Sequence, residues 1–197
     1  MKPPSTPGQA LGMVEISSIA RGYVVVDALV KRAQSRVIMG AAVTPGKFLM
    51  AFDGSVGDVE ESVDAAVEAA GKMAIDQVFL PGPHAQVIPG LFNSYSNAQI
   101  NALGIVEFST VCAAIRGLDR ALKDGEVDLV VMRLASSIDG KGYFAITGDL
   151  TFIESSVNVA SQEGNRLINR EIIPRPHPDF IEYLLSTREQ NLAIRVI

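Results

Sequence analysis

Apolar and polar residues follow one another along the chain in a pattern that predicts strand, helix, strand, strand, helix and strand. Residues 11–19 are almost continuously apolar and predict a strand, while apolar residues at helical spacing over 20–33 and 58–70 predict two amphipathic helices. The remaining strands and a closing proline-rich turn with one helical turn are predicted at 36–42, 48–52, 74–80 and 81–92. This is the element order of the split βαβ, ferredoxin-like domain.

The whole pattern occurs twice. Ala-Leu-Gly-Met-Val-Glu at residues 10–15 returns as Ala-Leu-Gly-Ile-Val-Glu at 102–107, and further matches follow at offsets of 92 to 94. These matches are Gly46-Lys47 with Gly140-Lys141, residues 59–63 with 153–157, and residues 81–84 with 174–177. A repeat of this length fits a whole small domain, and a chain with two domains can replace two subunits of a ring.

The repeat predicts an α+β chain of two tandem ferredoxin-like domains in unpermuted order. We expect a loose N-terminal arm, a first domain, a linker, a second domain and a C-terminal tail at residues 1–9, 10–92, 93–101, 102–185 and 186–197. The offset rises from 92 at Lys31 and Lys123 to 94 at Gly46 and Gly140. The second copy therefore carries two additional residues in or beside the loop that joins its middle strands.

Composition narrows the class of protein. Hydrophobic residues make up 48% and charged residues 20% of the chain, as in a packed globular protein. The net charge of −5 and the absence of a basic cluster argue against nucleic acid as a partner. No apolar run approaches the roughly 20 residues that span a bilayer, so we expect no membrane partner, and the first residues have no apolar core of a secretion signal. The single cysteine, Cys112, excludes an intrachain disulfide and is typical of the cytoplasm.

Four segments together resemble the shell domains of bacterial microcompartments. They are the opening Ala-Leu-Gly-Met-Val-Glu, the helix segment 27–31, the Gly46-Lys47 loop and the closing segment 173–177. Both copies match, and the chain is most similar to the tandem-domain, trimeric type found in propanediol-utilisation compartments. The resemblance implies a structural protein with no enzymatic activity: a homotrimer whose six domains form a pseudohexameric tile with a central pore for small metabolites. Such a tile packs beside hexameric and pentameric shell proteins, around encapsulated enzymes, in the shell of a cytoplasmic compartment.

The resemblance also implies which residues have functions. The pore-lining residues would be Thr44, Pro45, Gly46, Ser136, Ser137, Ile138, Asp139 and Gly140. The residues that contact neighbouring tiles at the edge would be Lys31, Lys123 and Arg175, and Gly82 replaces the arginine in the first copy. Pore selectivity would then depend on diameter and on the hydroxyl and charged groups of the loops.

A cofactor is not expected. In the propanediol-type relative, a cysteine two residues before the Gly-Lys pair holds an iron–sulfur cluster at the trimer axis, but Thr44 occupies that position here. A threonine hydroxyl stays protonated at neutral pH, whereas clusters bind thiolates. Cys112 matches the first helix of the second copy, where a small buried apolar residue is the simplest interpretation. We therefore predict neither an iron–sulfur cluster nor another metal.

The remaining polar residues fit structural roles. His84 and His177 occupy matched positions and indicate a shared turn, because a metal site needs several converging donors. Glu15 and Glu107 are matched strand carboxylates and indicate a duplicated polar contact. Two other functions stay open from the residues alone: a tandem ferredoxin-like regulatory protein that binds small molecules, and an electron-transfer tile that carries a cluster.

Overall fold

The computed structural model describes residues 8–190, which form two compact units divided between Pro83 and His84. The elements of the first unit are β1 (Ala10–Ile16), α1 (Ile19–Arg32), β2 (Arg36–Val43), β3 (Lys47–Gly54), α2 (Val56–Ala70) and β4 (Ala74–Pro81). Those of the second are α3 (Val87–Leu91), β5 (Ala102–Phe108), α4 (Val111–Asp124), β6 (Val127–Leu134), β7 (Gly142–Gly148), α5 (Leu150–Ala160), β8 (Leu167–Ile173) and α6 (Pro178–Ser186).

Each unit contains one four-stranded antiparallel sheet. The strand order is β2-β3-β1-β4 in the first unit and β6-β7-β5-β8 in the second. The first strand of each copy lies between the third and the fourth, with Val14 opposite Met50 and Val106 opposite Phe144. This topology confirms the predicted pair of α+β, ferredoxin-like domains in unpermuted order.

Side-chain caps determine where the helices begin. Ser18 accepts the Arg21 N–H at the start of α1, and Thr110, at the matched position, accepts the Ala113 N–H at the start of α4. The first strand therefore ends at Ile16, three residues before the predicted end at residue 19, because the capping residue has to leave the sheet before the helix begins. Helix α2 ends at Ala70, and the following Gly71 has a positive φ of 55°, which glycine adopts without the steric cost of a Cβ.

The core of the first unit lies between its sheet and its two helices. Alternate residues of the central strands, Val14 and Ile16 on β1 and Phe48 and Phe52 on β3, are buried in one apolar cluster with residues of α1 and α2. Gly22 lets α1 approach this layer closely, since a Cβ at that position would overlap the Phe48 side chain.

The second unit has an additional apolar layer. A Cβ on Gly104 would contact Val157 and Ile153, so this position faces α5. Its neighbours on the strand, Leu103 and Ile105, therefore face the opposite side of the sheet. On that opposite side, Leu103 is buried in a cluster with Leu184 of α6. Helix α6 thus covers part of the sheet face that α4 and α5 leave open.

The segment between the two repeats packs with the second unit. The sequence pattern assigned residues 84–92 to the first domain, whereas the structure divides the units before His84. The Gln86 side chain donates to the Asp128 carboxylate at 3.0 Å and accepts the Leu129 N–H at 2.8 Å, and Gly90 lies against Leu129. These contacts are long-range, so the local pattern of the segment could not indicate them.

The described part of the predicted tail is anchored through Arg188. Its guanidinium donates to the Val130 carbonyl at 2.8 Å and to the Ser96 carbonyl at 3.4 Å, and lies 5.2 Å from the centre of the Tyr95 ring. Burial lowers the pKa of Arg188. Residues 1–7 of the predicted arm and 191–197 of the predicted tail lie outside the described residues. Among residues 8–190, no helix has the length and apolar character needed to cross a membrane.

Candidate functional site

The loops that join the middle strands carry all the predicted pore residues. In the first unit, Thr44, Pro45 and Gly46 are exposed between β2 and β3, and the Gly46 N–H donates to the Val43 carbonyl at 2.8 Å. In the second unit, Ser136, Ser137, Ile138, Asp139 and Gly140 occupy the corresponding position between β6 and β7. The loop between Ala135 and Lys141 is two residues longer than the one between Val43 and Lys47, as the change of offset predicted.

The longer loop has an unusual backbone. Ala135, Ser137 and Asp139 have φ angles of 56°, 59° and 56°, and Gly140 follows at 70°. A non-glycine residue in the left-handed region costs about 1–3 kcal/mol and persists only where its surroundings fix it. Here the Ala135 N–H donates to the Lys141 carbonyl at 2.7 Å, which closes the loop at its base. The second loop therefore has a defined shape with Ser137 and Asp139 exposed.

A lysine–glutamate pair connects each loop to the first strand of its unit. Lys47 Nζ lies 3.5 Å from Glu15 Oε2 in the first unit, and Lys141 Nζ lies 3.0 Å from Glu107 Oε1 in the second. The first pair is buried, with Lys47 18% and Glu15 1% exposed, whereas Lys141 and Glu107 are 41% and 35% exposed. The duplicated polar contact predicted for the glutamates is thus an ion pair at the base of each loop.

Sequence reasoning matched the glutamates and the lysines separately and missed that they bind one another. The signal was present, because both residue types return together in the second copy at nearly the same offset. In an antiparallel pair, Glu15 lies opposite Leu49, and Lys47, two residues before Leu49, is on the same face of the sheet.

A cavity of about 570 Å³ lies beside the second loop. Its lining residues are Ile105, Glu107, Ser137, Ile138, Asp139, Lys141 and Tyr143. The structure thus brings three predicted pore residues together with the ion pair of the second unit. The mixture of apolar side chains with two carboxylates, an ammonium and two hydroxyls is suited to a small polar molecule.

Each predicted edge lysine forms an ion pair with an aspartate that lies one turn earlier on the same helix. Lys31 Nζ lies 2.6 Å from Asp27 Oδ2 on α1, and Lys123 Nζ lies 2.6 Å from Asp119 Oδ2 on α4. The Asp27 side chain is 60% exposed and that of Asp119 only 6%. Arg175, the third predicted edge residue, is exposed in the segment between β8 and α6.

The residues present do not suit an iron–sulfur cluster. Thr44 supplies a hydroxyl where a cluster needs a thiolate, and Cys112 is wholly buried on α4. The histidines serve as turn residues, since His84 Nδ1 accepts the Gln86 N–H at 3.4 Å and His177 Nδ1 accepts the Asp179 N–H at 3.3 Å. Within residues 8–190, no group of three or more His, Cys, Asp or Glu side chains could hold a metal ion.

Comparisons with known proteins agree with this architecture. The BMC domain matches residues 10–83 and again residues 102–176. The bacterial microcompartment shell protein PduT of Citrobacter freundii is 38% identical over 172 residues, which cover 86% of this chain and 94% of that protein. The crystal structure of a microcompartment protein from Desulfitobacterium hafniense has 36% identity and a TM-score of 0.78, covering 88% of this chain and 98% of that one. A fused permuted hexameric shell protein from the RMM microcompartment, 18% identical over 76% of this chain and 80% of its own, has a TM-score of 0.58 and shares the fold.

Proposed function

The chain belongs to the BMC-domain family and is a structural, non-enzymatic shell protein of a bacterial microcompartment, and on this premise we propose that three copies close into a ring of six domains. Each chain supplies two domains of the same fold. A ring of six wedges then needs three chains, in which the two kinds of domain alternate. The result is a pseudohexameric tile with threefold symmetry.

The observation that carries this proposal is the different burial of the two matched helices. Helix α4 is buried along nearly its whole length, and α3 packs on it. On α1, the matched face exposes apolar side chains, with Tyr23 65% exposed and Val30 half exposed, while their counterparts Ile115 and Leu122 are buried. An apolar face that is covered in one copy and open in the other is expected where a second chain covers it.

The pore is the second part of the proposal. We place Thr44, Pro45 and Gly46 of each chain around the central passage together with residues 136–140. Hydroxyl groups and the Asp139 carboxylate would give the passage a polar lining with two alternating kinds of loop. Such a lining suits small polar metabolites, and its selectivity would follow from diameter and hydrogen-bonding groups.

Lateral assembly is the third part. Lys31, Lys123 and Arg175 would contact neighbouring tiles, including hexameric and pentameric shell proteins, in the shell of a cytoplasmic compartment that encloses enzymes. Lys31 pairs with Asp27 and Lys123 with Asp119 on their own helices, and both lysine side chains remain partly exposed. Exposed cations such as these can meet backbone carbonyls or carboxylates of a neighbouring tile.

Sedimentation velocity across a range of protein concentrations tests the ring. The proposal expects a species of about 63 kDa, three times the 21.0 kDa of one chain, that associates further into layers. A stable monomer with saturable small-molecule binding at the cavity beside residues 137–141 would instead support the regulatory-protein alternative. A cluster-bearing electron-transfer tile is not proposed, because Thr44 cannot supply a thiolate.

A further inference from the structure

We propose that, in the ring, Asp27 of each chain accepts a hydrogen bond from the backbone N–H of His177 in the next chain. The inference rests on the proposed ring and names the polar contact that joins one chain to the next. It follows from a hydrogen bond that the second unit already makes between the His84 N–H and Asp119. The residues that match this donor and this acceptor in the repeat, His177 and Asp27, do not bind one another within the described part of the chain.

The complete contact lies within the second unit. The His84 N–H donates to Asp119 Oδ1 at 2.7 Å, while Lys123 Nζ lies 2.6 Å from Asp119 Oδ2. Each oxygen of the Asp119 carboxylate therefore has its own partner, and the hydrogen bonds are charge-assisted in a position that is only 6% exposed. The backbone of His84 is thus fixed to the middle of α4.

The acceptor half of the same contact is open on α1. Asp27 matches Asp119 in the repeat, and its pair with Lys31 has the same 2.6 Å distance as the pair on α4. Among the described residues, Lys31 is the only polar partner of the Asp27 side chain, which is 60% exposed. One carboxylate oxygen therefore faces solvent where its counterpart accepts a backbone N–H.

The donor half is open in the turn before α6. His177 matches His84, and the two turns share the order Pro-X-Pro-His. Each imidazole accepts an N–H two residues later, from Gln86 in one turn and from Asp179 in the other, so the two turns are capped in the same way. Within residues 8–190, the His177 N–H has no acceptor. Each chain therefore offers one open donor and one open acceptor of a contact whose geometry it already contains.

Ring closure uses one such pair at every junction. In a head-to-tail interface, a donor on one side of the chain meets an acceptor on the other side of the next, and three junctions close the ring. The exposed apolar side chains Tyr23 and Val30 flank Asp27 on α1, as the buried Ile115 and Leu122 flank Asp119 on α4. The proposal is confined to the turn that ends at His177, because α6 already packs on the sheet of its own unit.

Two substitutions at one position isolate the N–H. His177 has a φ of −65°, which proline adopts without strain, so His177→Pro removes the N–H and keeps the backbone conformation. His177→Ala removes the same imidazole but keeps the N–H, and serves as the matched control. On the acceptor side, Asp27→Ala removes the carboxylate, while Asp27→Asn keeps an oxygen that can accept.

The measurement is the concentration dependence of trimer formation by sedimentation velocity, with far-UV circular dichroism to show that each variant is folded. We expect His177→Pro and Asp27→Ala each to weaken every junction about tenfold, and therefore the trimer formation constant about a thousandfold, relative to His177→Ala and Asp27→Asn. The double variant His177→Pro/Asp27→Ala should assemble no less well than either single variant, because both remove the same bond.

The outcomes separate the contact from the ring. If the unmodified chain forms trimers and His177→Pro assembles as well as His177→Ala, the proposed hydrogen bond between Asp27 and His177 is wrong, whereas the proposed ring of three chains is supported. If the effects of His177→Pro and Asp27→Ala add in full, the two groups do not bind each other and the proposal is likewise overturned. If the unmodified chain stays monomeric, the ring itself is wrong.

Discussion

The matched lysines below the two loops provide a sharp test within one chain. Replacing Lys47 with Met removes an ammonium group next to Glu15, whose side chain is 1% exposed, and Lys141→Met does the same beside the half-buried Glu107. The two substitutions are chemically identical and occur at matched positions of the repeat. Burial of the pair is therefore the main difference between them.

The structure sets the expected magnitudes. At an effective dielectric constant of about 20, unit charges at the 3.5 Å distance of Lys47 and Glu15 attract by about 5 kcal/mol, and part of this offsets the desolvation of both groups. Removing one partner of such a buried pair leaves a charge in a poorly solvated position, so we expect Lys47→Met to lower the free energy of unfolding by about 3 kcal/mol. Lys141 is 41% exposed, and solvent screening should keep the effect of Lys141→Met below about 1 kcal/mol.

Urea unfolding followed by circular dichroism measures the difference. All variants must be compared at one protein concentration, because association adds a concentration-dependent contribution to stability. The double variant Lys47→Met/Glu15→Gln removes both charges and is expected to recover more than half of the loss. Hydrogen exchange at the amides of β1 and β3 should locate the destabilisation in the first unit.

A larger effect of Lys141→Met than of Lys47→Met would refute the reasoning, since burial would then not determine the cost. A double variant that is less stable than Lys47→Met alone would show that the negative charge of Glu15 is not the cause of the stability lost in Lys47→Met. Either result would remove the ion pair as the element that holds the base of the first loop.

Three further outcomes are expected. Gly22→Ala should destabilise the first unit by about 1–3 kcal/mol in a thermal scan, because the added Cβ overlaps Phe48, and an unchanged melting temperature would contradict the packing. Arg36→Ala should lower the free energy of unfolding in urea more than Asp53→Thr does. Arg36→Ala leaves the 1% exposed carboxylate of Asp53 without the guanidinium that donates to it at 2.9 Å and 2.6 Å, whereas Asp53→Thr removes the charge and keeps an acceptor. The reverse order of stabilities would contradict this reasoning. Anaerobically purified protein should show no visible iron–sulfur absorption, since Thr44 supplies no thiolate, and a broad brown band would contradict the assignment.

The repeat made most of the fold predictable. Segments such as residues 10–15 and 102–107 return at offsets that change by only two residues along the chain, so the element order of one copy could be checked against the other. Boundaries were least predictable where a cap decides them, as at Ser18, which ends β1 early. The packing of residues 84–92 was not predictable, because it depends on contacts of Gln86 with residues more than 40 positions later.

The candidate site was also predictable only in part. The change of offset predicted the longer second loop, but not the left-handed backbone at Ala135 and Ser137, because neither residue type favours it and the surrounding hydrogen bonds impose it. The different burial of Asp27 and Asp119 was equally invisible in sequence, since both are followed by a lysine four residues later.

Projection maps of the layers that the purified chain forms, recorded by electron cryomicroscopy, test the central claim most directly. A ring of three chains, each with two unlike domains, predicts a hexagonal array of six-lobed tiles whose symmetry about the central passage is threefold. Isolated two-lobed particles without a closed ring, or tiles built from any number of chains other than three, would contradict the account.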